Sequence, residues 1–182
     1  MRLQQATDST VCGVLPLCAG DLDRVRLLFA TFERFSLPLA SLHLVASNVD
    51  VARRLEARVP ASWGARVEIT TDDALFGGRP PGLSPDGLIG RIAHRGWYVQ
   101  QMIKLLVAAR APQRFCLTLD ADVLLVRDVQ SSDLVERGRA RTVVLPALRH
   151  RVWARVSGQL LRVPPPSIEL GVTPCLLHTR TC

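Results

Sequence analysis

Short apolar runs rich in β-branched residues alternate along this chain with segments whose apolar residues recur at helical spacing. TVCGVLPL, Thr10 to Leu17, predicts a buried strand. Leu22, Val25, Leu28, Phe29 and Phe32 then mark one face of a helix over 21–35, with Asp21 or Asp23 as its N-cap. LHLVAS (42–47) is a second strand, and Asn48 and Asp50 open a short helix over 51–58. VEITT (67–71) is a third strand, ending in a turn at Asp72 and Asp73. WYVQQMIKLLVAAR (97–110) is a helix that Ala111-Pro112 stops, and RFCLTL (114–119) is a buried strand. After Asp128 come a short helix or turn, a strand over 141–145 closed by Pro146, and one more element over 171–178. This alternation predicts an α/β sandwich with a mainly parallel central sheet flanked by helices.

With 182 residues, the chain has the length of one domain, 1–182, with a sizeable core. Its 48% apolar content places it with globular rather than disordered chains. No apolar run approaches the roughly 20 residues that cross a bilayer. The opening MRLQQATDST lacks the basic-then-apolar start of a secretory signal. The expected location is the cytoplasm, with peripheral contact at the inner face of the membrane left open. Five cysteines without a CxxC pair argue against a zinc site and for reduced, mostly buried thiols, with Cys182 exposed.

The net charge is +7, and Lys104 is the one lysine. Arg137, Arg139, Arg141, Arg149, Arg151 and Arg155 form a loose basic region. Such a region suits nucleic acid, an anionic membrane or a phosphorylated substrate, or is simply a solvated surface, the reading favoured here. No nucleic-acid-binding module is recognisable. Residues 77–90, with five glycines and three prolines, form a long connection of the kind that serves function or motion.

The stretch FCLTLDADVLLVRDV, 115–129, carries the chemistry. Side chains two apart on a strand point the same way, so Asp120 and Asp122 can reach one ion. Ligands of open α/β sheets gather beyond the carboxyl ends of the strands, where this pair falls. Carboxylate oxygens suit Mg²⁺ or Mn²⁺, and such an ion can neutralise a departing phosphate. On its own, Asp-x-Asp is also a common turn former.

The order of helix with Gln-Gln-x-x-Lys-Leu (100–105), apolar strand, Leu-Asp-Ala-Asp and Arg-Asp-Val resembles the central part of GT-A glycosyltransferases, including glycogenin-like enzymes. It is similar also to a group of bacterial glycosyltransferase-like proteins, through Gly-Trp-Tyr-x-Gln-Gln-x-x-Lys-Leu at 96–105, Gly-Val-Thr-Pro at 171–174 and LPLCAGDLDRVRLL at 15–28. The resemblance implies a Rossmann-like GT-A fold. It implies a nucleotide-diphospho-sugar donor, an acceptor that is a glycan, lipid or protein, and Mn²⁺ or Mg²⁺ held by Asp120 and Asp122. It suggests that Lys104, with Gln101 on the same helix face, lies near the donor phosphates. A lysine snorkelling at the helix surface is the competing reading. Pro16 and Leu17 fall where such enzymes hold the nucleotide base, Asp72 near ribose or base, and Gly171 and Thr173 near the sugar, although the Asn-Ser-Gly of glycogenin-like members is missing. Trp97 and Tyr98 are expected to pack in the core or against a loop.

Family members usually continue into an acceptor-binding half, so a truncated, catalytically inactive donor-binding domain is one alternative. A basic nucleic-acid or membrane-surface interaction domain is the other. No general base is identifiable. A Rossmann dehydrogenase is disfavoured because GVLPLCAGD lacks the glycine fingerprint, and an α/β-hydrolase because no GxSxG is present.

Overall fold

β1 (Val11–Leu17) is buried along its whole length, so it must be covered on both faces. The structure is a computed structural model that describes residues 10–78, 95–146, 151–164, 168–170 and 173–182. Along the chain β1 is followed by α1 (Arg24–Arg34), β2 (Leu42–Ala46), α2 (Val49–Glu56), β3 (Val67–Thr71) and α3 (Asp72–Phe76). Then come α4 (Arg95–Arg110), β4 (Phe115–Thr118), α5 (Ser131–Leu134), β5 (Val135–Glu136) and β6 (Arg139–Ala140). β7 (Val144–Pro146), α6 (Arg151–Leu161), β8 (Ile168–Leu170) and β9 (Cys175–His178) complete the order.

The main sheet runs β3-β2-β1-β4-β9. The first four strands are parallel, and β9 pairs antiparallel with β4. This is the mainly parallel, helix-flanked sheet that the alternation of elements predicts. Alternation along β1 and β4 divides the core. Val11, Leu15, Leu17, Phe115, Leu117 and Leu119 join the layer that holds Val25, Leu28, Phe29 and Phe32 of α1. Cys12, Val14 and Cys116 join Ile103, Val107 and Ala108 of α4 on the other face. Gly13 sits where the chain before β2 presses on β1. A Cβ there would lie 2.8 Å from a methyl of Leu39 and 2.9 Å from one of Leu42.

Several expectations change. Asp23 stands at the N-cap of α1 without a side-chain cap bond. Asp21 instead accepts from the Cys18 amide at 2.9 Å and closes the short 3₁₀ turn Ala19–Asp21. Asp72 and Asp73 do not end a strand in a plain turn. They open α3, whose cap is Thr71, accepting from the Ala74 amide at 3.2 Å. Negative side chains suit that helix start. The strand expected over 141–145 is β7, and it pairs with β8 outside the main sheet. Only Cys12 and Cys116 are fully buried, whereas Cys18 and Cys182 are exposed. The glycine-rich connection lies outside the described residues apart from Gly77 and Gly78, as do Pro165 and Pro166.

Candidate donor site at the strand ends

The chain leaves β1 to one side for β2 and returns on the other side as β4. Such a reversal of strand order opens a crevice beyond the carboxyl ends of the two strands, the preferred ligand position in open α/β sheets. Val14 stands opposite Thr118 in this pair, and the Leu119 amide still donates to the Val14 carbonyl at 2.9 Å. Two residues further along each strand, Pro16 comes level with Asp120. The acidic pair therefore follows the last residues of β4 directly into the crevice.

The parity of β4 decides what Asp120 meets. Cys116 faces α4 and Leu117 faces α1, so Asp120 shares the α4 side. Lys104 comes down from α4 on that side and is only 2% exposed. Its Nζ donates to Oδ1 of Asp120 at 2.7 Å and to Oγ1 of Thr173 at 3.2 Å. The surface-snorkelling reading of Lys104 is thereby overturned. A buried ammonium needs a charged or polar partner, and here it has both. The Asp120 side chain keeps 37% of its surface exposed, and Asp122 is exposed. Oδ2 of Asp120 makes no hydrogen bond to the described residues. Asp120 is thus held on one side by Lys104, and Asp122 is exposed in the turn that follows β4.

Thr118, which sequence reasoning passed over, completes the arrangement. It is 3% exposed, and its hydroxyl donates to the Cys175 carbonyl at 3.1 Å while accepting from the Cys175 amide at 3.2 Å. That double contact fixes the chain just after Thr173. The signal was a lone polar residue inside the apolar run FCLTL. The segment beyond the acidic pair is also anchored. Asp128 accepts from the Ser36 amide at 2.7 Å and from its hydroxyl at 3.0 Å, while the Val129 amide donates to the Ser36 carbonyl at 2.9 Å.

The remaining sequence candidates are placed unequally. Pro16 is buried at the end of β1 on the α4 side. Leu17 is 2% exposed in the α1 layer, and its carbonyl accepts from the Ser47 amide, so its side chain belongs to the core. Gln101 is half-buried one turn before Lys104. Asp72 follows β3, two strands from β1, about 10 Å along the sheet. Gly171 lies outside the described residues. Trp97 and Tyr98 are each 41% exposed and stack edge to face on one another, so neither is in the core. Among the described residues, no group of three or more His, Cys, Asp or Glu side chains is arranged to hold an ion.

The model of a family of unknown function, DUF6492, matches residues 8–182. The chain belongs to DUF6492. Comparison of this DUF6492 chain with curated proteins finds no match. Among solved structures, the apo form of the bifunctional glycosyltransferase WbbM is similar, with a TM-score of 0.54 and 12% identity. The match covers 96% of the DUF6492 chain and 32% of WbbM, so the chain spans about a third of that protein's length. Mannosyl-3-phosphoglycerate synthase from Rubrobacter xylanophilus is matched with a TM-score of 0.35 and 18% identity, over 72% of this chain and 35% of that one. The likeness to WbbM gives the DUF6492 chain a glycosyltransferase-like α/β fold. Among its described residues, no helix is long and apolar enough to cross a membrane.

Proposed function

We propose that the protein binds a nucleotide-diphospho-sugar in the crevice between β1 and β4 and transfers its sugar to an acceptor. The observation that carries this reading is the position of Asp120: at the carboxyl end of β4, beside the end of β1, and gripped by a buried lysine. The donor set fits a hard divalent ion, Mn²⁺ or Mg²⁺. Two aspartates offer oxygen ligands, and such ions are commonly bound by one or two carboxylates with substrate phosphates and water completing the shell. When bound, the ion supplies Lewis-acid neutralisation of the diphosphate.

The chain's own residues do the rest. Lys104 holds one oxygen of Asp120 and adds a fixed positive charge beneath the place of the diphosphate. Charges held in advance in a sheltered site are more effective than charges that must be ordered on binding. Thr173 and Thr118 set the wall on the β9 side, and Pro16 the wall on the β1 side, where a base would lie.

The test is calorimetric titration of UDP- and GDP-sugars with Mn²⁺ and then with chelator, on the wild-type chain and on Asp122→Asn. Binding that needs both metal and Asp122 is the expected result. Donor binding indifferent to chelator and to Asp122 would overturn the metal assignment, and no binding of either donor class would overturn the donor site.

A further inference from the structure

Between Glu136 and Glu169 the chain carries seven arginines and no aspartate or glutamate. Within that stretch lies α6, and its burial pattern is inverted. Gly158 is its one buried residue among those described, with Ala154 half-buried. Leu161, the last residue of the helix, is 71% exposed on the side of Ala154. Three larger aliphatic side chains point away from the small residues: Val152 is 61% exposed, Val156 43% and Leu160 79%. These three recur every four residues and so form one stripe. Val163, just beyond the helix, is 50% exposed. Arg151 and Arg155, four apart, form a second face beside the first, and Arg162 follows directly after the helix end. α6 therefore carries its small residues Ala154 and Gly158 on one side and presents an aliphatic stripe beside a cationic face on the others.

We infer that α6 docks on an anionic lipid surface, lying in the plane of the interface. The occupant is specified by charge and shape together. A helix with aliphatic residues on one side and arginines on the other matches the acyl boundary and the acidic headgroups at once. The same stretch carries Arg137, Arg139 and Arg141, which add to the positive charge, although Glu136 pairs opposite Arg139 and Asp133 lies within electrostatic reach of Arg141. A second copy would account for the aliphatic stripe but leave the arginines uncompensated, because α6 has no acidic face to offer its own copy. This inference stands apart from the donor site and does not depend on it.

The experiment is flotation of the full chain with phosphatidylcholine vesicles and with vesicles that also contain phosphatidylglycerol. Light scattering after gel filtration runs in parallel. The expected result is flotation only with the phosphatidylglycerol vesicles. The Val156→Asp/Leu160→Asp double variant should reduce it at least about tenfold, and each of Arg151→Gln, Arg155→Gln and Arg162→Gln about fivefold. Circular dichroism should be unchanged in all of these, since the altered side chains are exposed. Four results would each overturn the inference. They are absence of flotation with either vesicle, equal flotation with both, flotation unaffected by the double aspartate variant, and a dimer that needs Val156 and Leu160 without flotation.

Discussion

The ammonium of Lys104 lies 2.7 Å from one carboxylate oxygen of Asp120, and the two residues contribute to that contact unequally: the lysine is buried and the aspartate is more than a third exposed. The lysine cannot turn to water if the pair is broken, whereas the aspartate can.

That asymmetry separates the two aspartates in stability measurements. Asp120→Asn should lower stability by about 1–3 kcal/mol, because a buried cation loses its charged acceptor. Asp122→Asn, at an exposed position, should stay within about 0.5 kcal/mol of wild type. Urea melts of the two variants check this. Both substitutions should abolish metal-dependent donor binding, so unequal stability with equal loss of binding is the expected signature.

Lys104→Met should weaken binding of the whole donor more than binding of the free nucleoside. The methionine keeps the volume in the α4 layer and removes the ammonium that Asp120 and Thr173 share. Calorimetry with both ligands reads the difference. Equal weakening would place Lys104 in support of the fold alone.

How much of this was legible beforehand varied with the physics involved. The strands of the main sheet could be read because apolar runs leave few alternatives, whereas strand alternation does not reach Asp120 and Asp122, because β4 ends at Thr118 and Asp122 falls in the turn that follows. The direction of Lys104 could not be read. α4 is apolar nearly all round, with Leu105 exposed and Ile103 and Val107 buried, so periodicity does not choose its inner face. The excursion β7–α6–β8 was equally hidden. No element was expected over 151–161, where arginines interrupt the aliphatic residues, yet a helix forms there with those aliphatic residues exposed. At α1 the alternatives Asp21 and Asp23 are separated only by the 3₁₀ turn: Asp23 takes the N-cap position without a side-chain cap bond, and Asp21 closes the turn.

Acid should loosen the segment behind the acidic pair. The Ser36 amide and hydroxyl hold the Asp128 carboxyl below its ordinary range, and Arg127 does the same for Asp133. Groups with depressed values contribute stability above the unfolded value, near 3.9, and lose it as pH falls through the lower folded value. Thermal melts from pH 5 downward should therefore show an acid limb, and Asp128→Asn should flatten it.

The thiols should divide by burial. Cys18 and Cys182 should react with Ellman's reagent in the native protein, and Cys175 more slowly. Cys12 and Cys116 face each other across β1 and β4 and should react only on unfolding. The hydrogen bond with Cys12, together with burial, pushes the Cys116 thiol well up. Burial raises Cys18 and Cys182 as well, so their rates should keep climbing above the usual thiol range near pH 8.5.

β9 reaches β4 from a distance: Thr118 and Cys175 are 57 residues apart, and Lys104 and Thr173 are 69 apart. Until that strand arrives, β4 is a bare edge that any extended chain can template on. Such distant closure is a slow step in folding, since the loop must be gathered before its contacts repay the entropy. The same hydroxyls that shape the crevice thus also decide when the nascent sheet stops being adhesive.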